Sequence, residues 1–332
     1  MGVVRIALRS LVVAALAYPG LAFLLVVSQS PEDLPRARGL DFSALAAIDR
    51  TGLPEMQRIA ARDGTPIRYR AYPSAREGAP LLILLHGSGG HGLYFHPLAR
   101  FLAGQGAAEV VVPDLRGHGL DPVRRGDVDH IGQLEEDIAD LIAALAGKGQ
   151  EVVLGGHSSG GGLVIRFAGG PYGSMIDRAL LLAPFLKYNA PTMRPNSGGW
   201  AFPLTRRIIG LSMLNAIGID ALNYLTVIQF NLTDPVSVTL DDEATTPAYS
   251  YRMNVSLAPR PDYLADIAAL PPFLLLVGAR DEAFIPDRFE PLMRGVTDKG
   301  RYVILPDTGH IDLVTGIAVR EPVLKFLTGA GQ

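Results

Sequence analysis

Short uninterrupted apolar runs recur along the chain, at Leu81–Leu85, Val110–Val112, Val152–Leu154, Ala179–Ala183 and Phe273–Val277. Runs of this length without polar alternation predict strands buried on both faces, the pattern of a parallel sheet. Between them, apolar residues recur at helical spacing from about Leu93 to Ala103, Ile131 to Leu145 and Leu313 to Leu327. Arg301–Leu305 predicts the last strand. Met56–Ala60 and Ile67–Tyr72 flank Asp63-Gly64 and predict an opening hairpin. Strands alternating with helices argue for an α/β chain with a mostly parallel, doubly wound sheet.

Two stretches break the alternation. The roughly 80 residues between Pro184 and Ala265 are too many for a plain loop. Their apolar residues from Leu204 to Leu225 fall at helical intervals, which predicts a helical cap over the carboxyl edge of the sheet. Between Trp200 and Leu225 lie many apolar side chains, among them Ile209, Leu211, Leu214, Ile217 and Tyr224; most should pack the cap against the core, and an unspecified minority should line a cleft. The other stretch is Leu11–Val27, uncharged, preceded by Arg5 and Arg9, and followed by the proline-punctuated Ser28–Pro35. It exceeds the usual apolar core of a signal peptide and lacks a good small-residue cleavage pair, so an uncleaved membrane anchor is the expectation, with a cleaved signal peptide as alternative. Positive charge on the N-terminal side places the remainder outside the cytoplasm, although Arg36 and Arg38 weaken that orientation. The chain thus divides into an anchor (1–30), a linker (31–54), a core in two parts (55–183 and 266–330) and a cap (184–265).

Composition removes several function classes. With 48% hydrophobic and 19% charged residues the chain supports a large packed core. A net charge of −3 with scattered arginines offers no field for nucleic acid. The absence of cysteine excludes disulfides and thiolate metal sites. His91, His96 and His130 have no second ligand at metal spacing, and no metal or cofactor is expected.

Chemistry concentrates where apolar runs end. Gly156-His157-Ser158-Ser159-Gly160 fits the G-x-S-x-G turn between strand and helix, in which the serine hydroxyl stands clear of the backbone. Side chains at Gly156 and Gly160 would obstruct so sharp a reversal. Asp281 follows the Phe273–Gly278 run and His310 follows Arg301–Leu305, so that a nucleophile, its orienting acid and its base would meet along one sheet edge. Glu282 and Asp287 are less well placed than Asp281 as the acid. Asp307 and Asp312 suit solvent or capping, and His157 should point away from the serine. His118 and Asp114 suit structural hydrogen bonding. The amides of Ser159 and Ser88, the latter in the loop after Leu81–Leu85, are the candidate donors to a developing oxyanion.

Taken together, His86–Gly92, Asp114–Gly119, Gly156–Gly160, Gly278–Asp281 and Gly309-His310 resemble, in order, the signatures of the α/β-hydrolase superfamily, specifically its lysophospholipase and monoacylglycerol-lipase-like branch. The resemblance covers about 56–184 and 267–327, and departs at Asp121-Pro122. It implies an α/β-hydrolase fold and cofactor-free hydrolysis of lipophilic carboxylic esters, with roles for Ser158, Asp281, His310, Ser88 and Ser159. The same triad would serve a cofactor-free haloperoxidase or a carbon–carbon bond hydrolase. A membrane-anchored binding protein without catalysis is the third class.

Overall fold

The computed structural model describes residues 16–34, 39–232 and 244–329. Its main sheet contains β1 (Gln57–Ala60), β2 (Pro66–Tyr72), β3 (Leu81–Leu85), β4 (Glu109–Asp114), β5 (Val152–His157), β6 (Arg178–Leu182), β10 (Phe273–Gly278) and β11 (Gly300–Leu305). They lie in the order β1-β2-β4-β3-β5-β6-β10-β11. The first two are antiparallel to their neighbours and the rest run parallel. All five residues of β3 are fully buried, because β3 has strands on both sides and helices on both faces. After β3 the chain moves outward to β4 and returns across β3 to make β5. That reversal opens a crevice beyond the carboxyl ends of β3 and β5, where doubly wound sheets bind their ligands.

Helices α2 (His96–Gly104), α3 (Gln133–Leu145) and α4 (Ser159–Ala168) follow β3, β4 and β5. The expected closing helix over 313–327 is interrupted. A four-residue turn, Asp312–Thr315, stops at Gly316, and the regular closing helix α6 is Arg320–Thr328.

The insertion is not purely helical. It contains α5 (Thr205–Ala216), as the spacing predicts, but also an antiparallel sheet of β7 (Ala201–Pro203), β8 (Thr226–Phe230) and β9 (Ala248–Ser250). The helical periodicity therefore ends before β8, where Thr226–Phe230 places its most buried side chains, Val227 and Phe230, against two different clusters.

The N-terminal apolar run is described from residue 16. Residues 16–27 form helix α1, and 1–15, with Arg5, Arg9 and the first part of the expected anchor, lie outside the described residues. Among the described residues no helix is long and apolar enough to cross a membrane. Instead of standing apart from the domain, α1 lies on the insertion: Ala22 and Val26 are buried with Leu211, Leu214, Val227 and Tyr251. A side chain at Gly210 would meet the Ala22 carbonyl at 2.5 Å, so the two backbones approach as closely as a glycine allows. Arg207 Nε donates to Val26 O at 3.1 Å and Arg206 Nη2 to Ser28 O at 2.9 Å. Two cations thus cap the carbonyl end of α1, where the helix dipole favours them.

Candidate active site

The turn between β5 and α4 carries Ser158 at φ 54°, ψ −119°, a conformation a non-glycine residue adopts only under constraint. The constraint is visible. Ser158 N donates to Leu182 O (2.9 Å), and its carbonyl accepts from Gly162 N (3.0 Å) and Phe185 N (2.8 Å). The two motif glycines make the turn sterically feasible: a Cβ on Gly156 would lie 2.4 Å from the Gly160 carbonyl, and one on Gly160 would lie 2.3 Å from the Leu85 carbonyl.

Asp281 and His310 meet as the strand order requires. His310 Nδ1 donates to Asp281 Oδ2 at 2.8 Å, and the other carboxylate oxygen accepts from the amides of Ala283 (2.9 Å) and Phe284 (2.7 Å). Both side chains are almost completely buried. With the proton held on Nδ1, Nε2 carries a lone pair, and among the described residues this buried atom has no hydrogen-bond partner. Its backbone is fixed as well. The His310 amide donates to Glu282 Oε2 (2.8 Å) and its carbonyl accepts from His157 Nε2 (3.0 Å).

Two neighbours thus have duties that the sequence alone does not reveal. Glu282 holds the His310 backbone, and His157, turned away from Ser158 toward the β11 loop, also packs its ring 4.4 Å from that of His310. Burial, with the nearby His310, holds the His157 pKa well below the ordinary histidine value, so it is neutral at pH 7. Asp312 caps the turn through Gly309 N at 2.8 Å, and Asp307 lies exposed.

Ser88 lies across the crevice. Its Oγ donates to Ser159 Oγ at 2.9 Å, bringing the two loops that carry the candidate oxyanion amides together. The peptide that holds the Ser88 amide is steadied at its carbonyl end: Gly87 O accepts from His86 Nδ1 at 3.0 Å, while His86 Nε2 accepts from Leu115 N at 3.1 Å.

These serines form the floor of a pocket whose walls are mostly apolar, with Phe185, Met193, Trp200, Ile228, Phe230 and Phe284 prominent. Trp200 stacks on Phe230 at 4.9 Å between centroids, and Phe230 meets Tyr249 edge-on at 4.7 Å. Most of the cap's apolar side chains between Trp200 and Leu225 lie outside the pocket. Of those named from sequence only Trp200 lines the pocket; Leu211 and Leu214 pack under α1, and Ile209, Ile217 and Tyr224 are exposed. Part of the lining comes from the unforeseen strands, through Ala201, Ile228, Phe230 and Tyr249. The β-branched, partly alternating Thr226–Phe230 was the available signal.

The sequence profile of the Alpha/beta hydrolase family matches residues 82–317, which spans β3 through the loop that carries His310. The chain belongs to the Alpha/beta hydrolase family. Within solved structures of this fold, a soluble variant of monoglyceride lipase from Saccharomyces cerevisiae superposes with a TM-score of 0.66 at 18% identity, covering 86% of this chain and 97% of that one. A thermophilic esterase from Thermogutta terrifontis superposes with a TM-score of 0.57 at 20% identity, covering 84% and 100%. At these identities the likeness is one of fold. In sequence, protein phosphatase methylesterase 1 from Bos taurus is 32% identical over 101 residues, 30% of this chain. The match spans about a quarter (26%) of that relative's length. Among the described residues no group of side chains suits a metal ion.

Proposed function

We propose that this family member is a serine hydrolase of lipophilic carboxylic esters, in the lysophospholipase and monoacylglycerol-lipase-like branch. One observation carries the reading: a strained, pocket-facing Ser158 lies on the same sheet edge as a histidine whose Nδ1 is committed to a buried aspartate and whose Nε2 is unpartnered. In the proposed reaction Ser158 Oγ attacks the acyl carbon and its proton passes to His310 Nε2, while Asp281 stabilises the imidazolium. The carbonyl oxygen, now negative, is received by the amides of Ser88 and Ser159, the latter at the N-terminus of α4. Collapse expels the alcohol, which takes the proton from His310. Water then repeats the sequence on the acyl-enzyme and restores Ser158.

The apolar walls support an acyl chain as the occupant, and the esterase and monoglyceride lipase structures of the same fold are consistent with that choice. A fluorophosphonate should label the wild-type protein at Ser158 and leave Ser158→Ala unlabelled. Across esters from acetate to dodecanoate, each methylene buried contributes about 0.8 kcal/mol, roughly fourfold in kcat/KM, until the pocket is filled. A profile that peaks at acetate would contradict the lipophilic substrate.

The N-terminal run is proposed to hold the protein on a membrane, with the catalytic domain outside the cytoplasm. What supports the membrane contact is the outward face of α1, where Leu16, Leu21, Phe23, Leu24 and Val27 are each more than half exposed. Retention in the membrane fraction through a carbonate wash is the expected result; full release by salt alone would count against it.

A further inference from the structure

The Asp114–Gly119 loop carries a histidine that this chemistry does not use. His118 is buried, and its Nδ1 lies 3.0 Å from the Arg116 carbonyl, which only accepts. The proton is therefore on Nδ1, and Nε2 is an acceptor. The Tyr249 hydroxyl lies 2.7 Å from Nε2 and must donate to it. With its proton so committed, the same oxygen accepts from the Gly89 amide at 2.7 Å. Donor and acceptor chemistry thus fixes the direction of the whole chain, from Gly89 N–H to Tyr249 to His118 to the Arg116 carbonyl.

Gly89 directly follows Ser88. The peptide on the amino side of Ser88, which contains its amide, is held by His86 at the Gly87 carbonyl, and the peptide on the carboxyl side is held by Tyr249 at the Gly89 amide. The Gly89 carbonyl also accepts from Thr246 N at 3.0 Å. Tyr249 and Thr246 belong to the limb by which the insertion returns to the core. The same limb is tied down by Ser250 N to Gly126 O at 2.9 Å, and Arg125 Nη1 donates to Thr245 O at 2.9 Å.

We propose that Tyr249 and His118 are positioning residues for the oxyanion hole, through which the insertion sets the direction of the Ser88 amide. The proposal rests on the ester-hydrolase reading above. Tyr249 also forms part of the pocket wall, so its ring and its hydroxyl have separate duties. The ring binds substrate. The hydroxyl acts only when the carbonyl oxygen becomes negative, because a misdirected amide weakens transition-state binding more than ground-state binding.

The experiment is Tyr249→Phe, which keeps the ring and removes the oxygen. On a short ester kcat should fall about 10- to 100-fold with KM within about threefold of wild type. Affinity for a trifluoromethyl ketone, whose tetrahedral adduct places an oxyanion in the same hole, should fall by the factor lost from kcat. His118→Gln, whose carbonyl can accept the tyrosine proton, should retain more kcat than His118→Leu. The double variant Tyr249→Phe/His118→Leu should be no slower than the slower single variant by more than about twofold, since the pair acts as one unit. Should Tyr249→Phe fail to fold, the His118→Gln and His118→Leu pair decides the same question. Undiminished kcat in Tyr249→Phe, a loss confined to KM, or equal kcat in the two His118 variants would overturn the proposal while the esterase reading stands. A wild-type protein that neither hydrolyses esters nor reacts with a fluorophosphonate would overturn both.

Discussion

Asp281 accepts three hydrogen bonds, two from backbone amides and one from His310, and this makes its charge hard to replace. Asp281→Asn offers an NH₂ group where His310 now finds an acceptor and favours the other imidazole tautomer. By analogy with serine proteases, kcat should fall on the order of 10⁴-fold. Glu282→Gln keeps a carbonyl oxygen to accept the His310 amide, and its loss should stay below about tenfold. Kinetics of the two variants side by side would expose a misassigned acid if the order were reversed. The buried histidines make a second prediction. Burial lowers the pKa of His86, His118 and His157 in the folded chain. Below the unfolded value near 6.5, the unfolded chain takes up protons that the folded chain refuses, so stability is complete above that pH and falls as pH drops below it. Each histidine contributes a slope of at most about 1.4 kcal/mol per pH unit, between its folded and unfolded pKa. Urea unfolding at pH 7, 6 and 5 measures it. Asp63, whose pKa is lowered to about 2 by the Arg116 and Thr65 hydrogen bonds against the opposing effect of burial, contributes only in a separate, more acidic window.

At the level of elements, the same kind of side chain has different value in different strands. Leu84 in β3 is fully buried, whereas Ile304 in the edge strand β11 is 43% exposed. Leu84→Ala should cost about 2–5 kcal/mol in urea unfolding, and Ile304→Ala clearly less, since little cavity forms at a half-open site. Burial on both faces is also why β3, β4, β5, β6 and β10 were legible as continuous apolar runs. Ser158 and Asp281 were legible because each follows such a run, His310 because it follows the last strand, and topology then brings their loops together. The insertion was harder to read. β7 and β9 are three residues long, too short to show a period, and β8 pairs with segments far from it in the chain. Tyr249 shows the limit most clearly: its hydroxyl has meaning only beside His118, 131 residues away.

For the molecule as a whole, the insertion joins the crevice below it to α1 above it. Gly210 is the seat of that outer contact. Gly210→Leu would drive carbon into the Ala22 carbonyl and lift α1 from α5. Faster amide exchange across residues 16–27 is the expected outcome, with turnover of a short ester within about threefold of wild type because Ser158, Asp281 and His310 sit on loops of the main sheet, away from α1. Unchanged exchange would show that α1 tolerates the wider spacing. The same seat has a consequence during synthesis. Arg207 lies 181 residues after Val26, whose carbonyl it caps. At about 5–20 residues per second a ribosome needs roughly 10–35 seconds to cover that distance. Helix α1 is therefore made well before its place exists, and throughout that interval its apolar face has no docking surface of its own chain on which to rest.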